Sequence, residues 1–393
     1  MKHTKKIISI ISTISLISAM TMALTACGKS SKTKSTDTAT PDKCRIVSFY
    51  ESADYDNNIC FAVQENGRLD FVDMTTLEDS PVCDDPSCKH REGSDCTAYE
   101  KNNHPFIYDK KLYYIKSSDI TTQEDGTYTT STYFYSSDIN GANEKQLAEI
   151  KGLSYNNFDR MALIGDTAYM IMTDQPYDKD FKELEPSMKL VSVSLGDGKV
   201  CDLGEVTKGY SCGAWVYGLW DSKLIFRTSK AADNRPFMER LQDFAEKNGL
   251  SENEALEQYT DKAEYTYEYL AYDIKAQKLD KLDKLTLPDP LAISDNCYYY
   301  AKDGKPCYLD KSDKEQTIQS SDNITNITNI TNISAINGYA LIDTDSEEYL
   351  FNESDKTLSK LSDQYDIAAI KDGQAIIRTG DTPMYKTKAL GEM

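Results

Sequence analysis

The chain has 393 residues, with 64 acidic against 44 basic side chains and a formal net charge of −20 at pH 7. So acidic a surface repels phosphate backbones, which argues against nucleic acid as a partner. Only three histidines occur, so imidazole-based acid–base catalysis has few candidates, which disfavours most hydrolases.

The N-terminus has the composition of an export signal. Basic residues precede an uncharged run from Ile7 to Ala26, which ends in the sequence Leu-Thr-Ala-Cys at Cys27. We interpret residues 1–26 as a signal peptide; an uncleaved anchor is the alternative, because such a run could span a bilayer. The last four residues resemble the lipobox of bacterial lipoproteins, and this resemblance implies lipidation at Cys27.

Residues 27–43 are rich in Ser, Thr and Lys and poor in apolar side chains. A segment of this kind cannot support a packed core, so we predict a disordered, lipidated linker, here called the tether. Two acyl chains are enough for stable anchoring. The predicted location is therefore the extracytoplasmic face of the cell membrane, with residues 44–393 as the folded body.

In the body, short tyrosine-rich strands alternate with polar turns. The segment Phe106 to Ile150 is typical of a four-stranded antiparallel meander, and its second strand recurs after turns rich in Asp, Asn and Gly. The seven second strands are Ile59–Val63, Leu112–Lys116, Ala168–Met172, Leu224–Arg227, Cys297–Ala301, Tyr339–Thr344 and Gln374–Arg378. Such sheets bury both faces only by stacking. We predict an all-β β-propeller of seven four-stranded blades; two β-sandwiches are the alternative.

Two segments stand outside this repeat. Arg45 to Tyr50 is predicted either to complete the seventh blade or to form the inner strand of the first. A helical insertion at about 235–260 is predicted in blade four, where Pro236 begins a helix that ends near Gly249. Ser251 and Glu254 form a capping box for a second short helix.

The long connections fall on one end of the predicted ring. Strand directions alternate, so links from second to third strands and links between blades lie at the same end. The long ones are Ser117–Ser131, Thr173–Ser187, Thr228–Thr266 and Cys83–His104, and we call the end that carries them the elaborated face. Loops held on a rigid scaffold are the usual place for binding residues. Neutral loop growth is the alternative.

One of these connections contains possible metal ligands. Cys83, Cys88, His90 and Cys96 offer three thiolates and an imidazole, the ligands of four-coordinate structural zinc. Their spacing matches no diagnostic zinc finger. A disulfide between two of the cysteines, or reduced thiols, are the alternatives.

Other cysteines are predicted to stay unpaired. A two-residue turn at Asp303 and Gly304 would place Cys297 opposite Asp310 rather than opposite Cys307. Cys201 and Cys212 are likewise a poor pair, on an outer and an inner strand. Gly209 to Gly213 matches the G-x-S-x-G pattern of a nucleophile elbow, but a strand is predicted after it where that motif needs a helix.

The chain resembles the β-propeller lipoproteins of Gram-positive bacteria that carry YWTD-like or DUF5050-like repeats. The likeness rests on the lipobox at Cys27, on strand–turn units such as Tyr269–Lys275 and Tyr308–Lys314, and on the Cys83–Cys96 segment. It implies a fold and a location. We predict a non-catalytic propeller that binds a protein or glycan ligand through the elaborated face. The alternatives are an enzyme that acts on polysaccharide with paired carboxylates in the channel, or an assembly factor of a membrane complex.

Overall fold

The computed structural model describes most of the body. The described residues are 43–48, 53–56, 59–63, 67–92, 95–101, 104–116, 120–122, 128–155, 160–180, 182–259, 264–282, 290–312, 314–318, 327, 329–363, 365–379 and 385–393. The predicted signal peptide, Cys27 and all of the tether before Lys43 lie outside them. No described helix is long and apolar enough to cross a membrane.

The first half of the chain forms three sheets and a small hairpin. In chain order its elements are β1 (Arg45–Ser48), β2 (Ala53–Asp56), β3 (Ile59–Val63), β4 (Leu69–Asp73), β5 (Asp79–Pro81), α1 (Thr97–Glu100), β6 (Phe106–Tyr108), β7 (Lys111–Lys116), β8 (Ile120–Thr122), β9 (Tyr128–Thr130), β10 (Thr132–Asp138), β11 (Lys145–Ile150), β12 (Arg160–Ile164), β13 (Thr167–Asp174), β14 (Ser187–Ser194) and β15 (Val200–Lys208). Sheet 1 contains β2 to β5, sheet 2 contains β6, β7, β10 and β11, and sheet 3 contains β12 to β15 with β1 added. Strands β8 and β9 form a separate two-stranded sheet.

The second half forms four more sheets. Its elements are β16 (Cys212–Trp220), β17 (Lys223–Ala231), α2 (Phe237–Asn248), α3 (Glu252–Gln258), β18 (Tyr265–Asp273), β19 (Lys278–Leu282), β20 (Pro290–Ile293), β21 (Cys297–Lys302), β22 (Lys305–Asp310), β23 (Glu315–Thr317), β24 (Ile330–Ile336), β25 (Tyr339–Thr344), β26 (Glu348–Asn352), β27 (Leu358–Lys360), β28 (Ile367–Lys371), β29 (Gln374–Arg378) and β30 (Tyr385–Ala389). Sheet 4 contains β16 to β19, sheet 5 contains β20 to β23, sheet 6 contains β24 to β27, and sheet 7 contains only the three strands β28 to β30. Within the described residues, six sheets are therefore complete antiparallel blades of four or five strands.

The hairpins follow from local sequence. Asp303 and Gly304, with φ of 52° and 73°, both adopt the left-handed conformation, and the same holds for Asn337 and Gly338 and for Asp372 and Gly373. Two consecutive positive φ angles define the tight turn that suits twisted hairpins. The turn at Asp303 places Cys297 opposite Asp310, as predicted.

The sheets pack face to face in the arrangement of a β-propeller. Each of seven hydrophobic clusters joins two sheets that are consecutive in the chain or, in one case, the last and the first. In that last case Val72 and Met74 of sheet 1 pack with Ala369, Ile376 and Tyr385 of sheet 7, so the two ends of the repeat meet. In sheet 5 the largest fully buried side chains are Tyr298, Tyr299, Tyr300 and Tyr308, so tyrosines pack between the blades there.

Strand β1 is not where the sequence predicted it. It pairs antiparallel with β12, the inner strand of sheet 3, with Arg45 opposite Leu163 and Ser48 opposite Arg160. It completes neither the seventh blade nor the first, so both predicted alternatives were wrong. The physical reason is that the channel-side edge of an inner strand carries unpaired backbone groups, and β1 satisfies those of β12.

Strand β1 also crosses the channel of the ring. The backbone N–H of Cys44 donates to Asp295 Oδ1 of sheet 5 at 3.1 Å, and the Arg45 guanidinium donates to the Ile107 carbonyl of sheet 2. Because β1 is antiparallel to β12, residue 43 lies at the face formed by the first hairpin turns. This is the opposite end of the ring from the elaborated face.

Two helices occupy the connection between β17 and β18. Pro236 precedes α2, and Gly249 ends it with φ of 64°. Ser251 and Glu254 form both hydrogen bonds of a capping box at the start of α3. Leu241, Ala245 and Ala255 are the buried centre of this helical hairpin.

The long connections touch one another. Tyr128 and Tyr177 exchange two backbone hydrogen bonds of 2.8 Å, which join the connections of sheets 2 and 3. Asn234 Nδ2 donates to Glu185 Oε1 at 3.3 Å, which joins those of sheets 3 and 4. The long connections of sheets 2, 3 and 4 therefore form one continuous surface.

Candidate functional site

The predicted metal ligands lie together. Cys83, Cys88, His90 and Cys96 fall between β5 and α1, in the link from sheet 1 to sheet 2, and their four ligand atoms lie within 4.8 Å of one another. Cys96 is buried, and the other three are half-buried. Three thiol sulfurs and one imidazole nitrogen in this space can hold a metal ion.

A tight turn brings the ligands together. Asp85 Oδ1 accepts hydrogen bonds from the N–H and the hydroxyl of Ser87, at 2.8 and 2.7 Å. The Cys88 N–H donates to the Asp85 carbonyl at 3.1 Å, so the chain reverses between Cys83 and Cys88. The His90 N–H donates to Cys88 Sγ at 3.4 Å, with His90 at φ of 48°. This left-handed residue turns the imidazole back toward the thiols.

The separations are close to those of a tetrahedral site. With zinc–sulfur and zinc–nitrogen bonds of about 2.3 and 2.05 Å, a tetrahedral ion holds S and N about 3.6 Å apart, and two sulfurs about 3.8 Å apart. His90 Nδ1 lies 3.5 Å from Cys96 Sγ. No two ligand atoms are more than 4.8 Å apart, so a contraction of at most about 1 Å brings every pair to the tetrahedral distance.

The thiols differ in acidity. Burial opposes ionisation of Cys83, but a hydrogen bond from the Asp85 backbone N–H and bonds from the neighbouring thiols bring its pKa below the usual value. Burial raises the pKa of Cys96 to about 11, and its contacts with Cys88 and Cys83 add to this effect. A metal ion must therefore displace the proton of Cys96 on binding.

An ion pair ties this link to sheet 2. Lys101 follows α1 and is only 1% exposed, and its Nζ lies 3.2 Å from Glu144 Oε2. Glu144 Oε1 pairs with Lys116 Nζ at 3.0 Å, and Oε2 accepts the hydroxyl of Tyr114. Burial raises the pKa of Glu144, but the opposite effect of these three partners is larger, and the pKa falls from the usual 4.5 to about 2.

We expect Glu144→Gln to lower the free energy of unfolding by about 1–2 kcal/mol at pH 7, because it leaves the buried Lys101 ammonium without its carboxylate. This value is discounted for solvent screening, since the Glu144 side chain is 33% exposed. The pKa of Glu144 is lowered on folding. Its contribution is therefore complete above pH 4.5 and disappears as the pH falls towards about 2.

Urea unfolding of both proteins between pH 2 and pH 7 measures this difference. Glu149→Gln, which changes an exposed carboxylate on β11, the strand that follows Glu144, is the matched control and should leave stability unchanged. A Glu144→Gln deficit as large at pH 2 as at pH 7 would show that packing, not charge, is responsible.

Outside the cluster, Cys44, Cys212, Cys297 and Cys307 form no disulfide, and the same holds for Cys83, Cys88 and Cys96 within it. No disulfide joins Cys297 to Cys307 or Cys201 to Cys212 in the part of the chain that the structure describes, in agreement with the prediction. The disulfide interpretation of Cys83, Cys88 and Cys96 is likewise not realised here.

The channel contains a cavity of about 600 Å³ beside β1. The two carboxylates among its described lining residues are Asp295 and Glu353. Asp295 accepts the Cys44 N–H, whereas Glu353 accepts the Tyr299 hydroxyl at 2.8 Å and the Asn296 amide at 3.2 Å. Both carboxylates thus have structural hydrogen bonds.

The G-x-S-x-G segment is not a nucleophile elbow. It leads into strand β16, as expected, and Ser211 Oγ accepts a 2.8 Å hydrogen bond from Arg240 of α2. Ser211 therefore helps to attach the helical insertion to sheet 4.

Sequence reasoning missed a group on sheet 4 that we call the Arg227 cluster: Arg227, Trp215, Tyr217 and Tyr267. The Arg227 guanidinium carbon lies 4.6 Å from the ring centre of Tyr267, 5.1 Å from that of Trp215 and 5.8 Å from that of Tyr217. Alternating aromatic residues on adjacent strands could have predicted it. The predicted strand ended at Arg227, however, whereas β17 continues to Ala231.

Comparison with known proteins supports no closer assignment. No protein-family model matches the chain, and no curated protein matches it. Among solved structures, it is similar to an oligogalacturonate lyase in complex with manganese, at a TM-score of 0.42 and 10% identity, over 88% of this chain and 90% of that one. It is also similar to an ulvan-degrading polysaccharide lyase of a new family, at 0.36 and 8%, over 86% and 91%.

An acylaminoacyl peptidase of Pyrococcus horikoshii is similar at a TM-score of 0.37 and 9% identity, over 70% of this chain. This chain spans only 42% of that peptidase. At such identities the likeness carries no argument about activity, so function is argued below from the residues themselves.

Proposed function

We propose that the chain is a membrane-tethered extracytoplasmic lipoprotein, whose seven-bladed, non-catalytic propeller binds a protein or glycan ligand through the elaborated face. Seven blades are supported by the contact between sheets 7 and 1, with the three-stranded sheet counted as a blade. The lipobox at Cys27 supports the anchor.

One observation carries the binding proposal. Among the described residues, six large hydrophobic side chains are exposed, and all lie in or directly beside two neighbouring connections of the elaborated face. They are Leu184, Phe237, Met238, Leu256, Tyr265 and Tyr267. Exposed apolar side chains that are scattered singly over a surface need no explanation. When they are concentrated on one surface, as here, they mark an interaction site.

The path of β1 supports the orientation that such a role needs. Residue 43, from which the tether extends, lies at the face of the first hairpin turns. In this proposal the elaborated face is directed away from the membrane, where an extracytoplasmic ligand can reach it.

We also propose that the Cys83–Cys96 link is a structural zinc site. Four protein ligands fill a tetrahedral coordination sphere and leave no open position for water or substrate, which is the arrangement of structural rather than catalytic zinc. Zinc would fix the link against sheet 2, next to the Lys101 and Glu144 ion pair.

The polysaccharide-enzyme alternative has less support. It requires two carboxylates free to act on a substrate, whereas Asp295 and Glu353 are engaged by Cys44 and by Tyr299 and Asn296. The assembly-factor alternative shares the elaborated face and differs in its partner, which must be a membrane protein.

The proposal is tested with a double variant, Met238→Ser with Leu256→Ser, in the full chain. These side chains are each 52% exposed, so their replacement should not disturb the core. We expect binding to cell-wall glycans or to purified surface proteins, screened by biolayer interferometry, to weaken at least about tenfold, because truncation of central apolar contacts often has this effect.

The matched control is Lys110→Ala with Asp221→Ala, two exposed residues in first hairpin turns on the opposite face. It should bind like the wild type. Loss of binding in the control but not in the elaborated-face variant would overturn the proposal.

A further inference from the structure

Sheet 4 extends beyond its neighbour. Strands β16, β17 and β18 each have nine residues, whereas β20 has four and β21 and β22 have six. Near the face of the first hairpin turns, Tyr298 and Tyr300 of sheet 5 cover Ile225 and Ala271 of sheet 4. Towards the elaborated face the side of sheet 4 is less covered: Arg227 is half-buried, and Tyr267 is 53% exposed.

The cluster is built on the pairing of three strands. Arg227 lies opposite Trp215 on one side and Tyr269 on the other, and Tyr267 is one same-face position further along. Gly213 makes room for the indole, since a Cβ there would lie 2.9 Å from the far edge of the Trp215 ring. The rings of Trp215 and Tyr267 therefore flank the Arg227 guanidinium in a defined geometry.

Among the described residues, Arg227 has no anionic partner. Across the described chain, no hydrogen bond or ion pair of its guanidinium is found, and its Nε is buried without an acceptor. Arg68, Arg235 and Arg378 each pair with a carboxylate. The nearest carboxylate on β18, Glu268, pairs with Lys281 at 2.5 Å. The five N–H donors of this guanidinium have no acceptor among the described residues, so they can donate to an anionic ligand.

We propose that the Arg227 cluster binds the carboxylate of a uronic acid residue in a cell-surface glycan. This inference rests on the proposed function and names its ligand class. The guanidinium matches a carboxylate through two parallel hydrogen bonds. The faces of Trp215 and Tyr267 provide flat apolar surfaces against which the C–H face of a sugar ring packs.

The net charge of the protein limits the class of glycan that can bind. Dense polyanions are repelled by a net charge of −20, so the fitting ligand has carboxylates spaced among neutral sugars. An acidic peptide could also pair with Arg227, but a carboxylate on a flexible chain uses neither aromatic face. The observations therefore favour the saccharide.

The test is calorimetric titration of the full chain with a tetrasaccharide that contains one glucuronate, and with the same tetrasaccharide after reduction of its carboxyl to an alcohol. We expect the acid to bind about 10- to 100-fold more tightly, as a charge-assisted hydrogen-bonded pair provides. Arg227→Gln should abolish this difference between the two sugars, and Arg227→Lys should restore only part of it. Tyr267→Ala should weaken both sugars by a similar factor.

Arg235→Gln is the control, since Arg235 already pairs with Asp233 and Asp243 and lies in the insertion that follows Arg227. It should leave the preference for the acid unchanged. Equal binding of acid and alcohol, or an unchanged preference in Arg227→Gln, overturns the inference. A glutamate-rich peptide that binds more tightly than the sugar, through Arg227, also overturns it in favour of a protein ligand. If neither sugar binds but the Met238 and Leu256 variant still loses its ligand, this inference fails and the proposed function stands.

Discussion

Cys88→Ser is expected to abolish the binding of one Zn²⁺ per chain and to remove the stabilisation that this ion provides. Cys88 is central to the group, because its sulfur accepts the His90 N–H and its own N–H closes the turn on Asp85. At a free zinc concentration a thousand times the dissociation constant, binding adds about 4 kcal/mol to the free energy of unfolding. The measurements are zinc content of the purified chain and thermal unfolding with and without a chelator.

Cys212→Ser is the matched control for this experiment. Cys212 is also half-buried, and its thiol donates to the Gly209 carbonyl at 3.0 Å, a bond that serine can replace. The control should bind zinc and respond to the chelator as the wild type does. Equal zinc content in wild type and Cys88→Ser, or no zinc in the wild type, would rule out the site.

Gly198→Ala is expected to be the most destabilising of the substitutions that leave the zinc site intact. Gly198 has φ of +73°, and a Cβ at this position would lie 2.1 Å from the carbonyl oxygen of Leu147 on the neighbouring sheet. Backbone cannot move aside as a flexible side chain does, so sheets 2 and 3 must separate locally. We expect a loss of more than about 3 kcal/mol, measured by urea unfolding, because such overpacking exceeds the usual range for core substitutions.

Gly304→Ala separates the steric clash from the penalty of placing alanine at a positive φ. Gly304 has the same φ of +73°, but nothing lies within 4 Å of its added Cβ. Its substitution should therefore have only the conformational penalty of about 1–2 kcal/mol. Similar losses in the two variants would show that sheets 2 and 3 are not packed as closely as the contact between Gly198 and Leu147 requires.

Features with local causes could be predicted from the sequence. The turn at Asp303 and Gly304 fixes the register of its own hairpin, so the position of Cys297 opposite Asp310 followed from two residues. The capping box of Ser251 and Glu254 is equally local. The strands and helices that depend on such signals were largely predicted.

The position of β1 could not be predicted in this way. Several inner strands offer a similar channel-side edge, and no residue in Arg45–Ser48 distinguishes among them. The choice depends on contacts made only in the closed ring, such as the Cys44 hydrogen bond to Asp295, 251 residues away in sequence.

The two candidate sites differ in the same way: one has a local cause in the sequence and the other depends on the packing of the sheets. The residue types of Cys83, Cys88, His90 and Cys96 identified them as candidate metal ligands, with a disulfide or reduced thiols as alternatives, and their grouping followed from a short turn within one link. The Arg227 cluster instead depends on how far β16, β17 and β18 project past sheet 5. That comparison of strand lengths between two sheets is absent from any single strand.

The path of β1 has a consequence for the order of folding. The partner strand β12 and the acceptor Asp295 are both far along the chain, so the contacts of β1 close large loops that carry a high entropic penalty until other contacts have shortened them. We therefore expect the first strand of the folded body to be among the last to dock, although it is synthesised before the other strands. Until sheets 3 to 5 have formed, neither its partner strand nor its acceptor Asp295 is in place, so its entry into the channel is expected to follow their assembly.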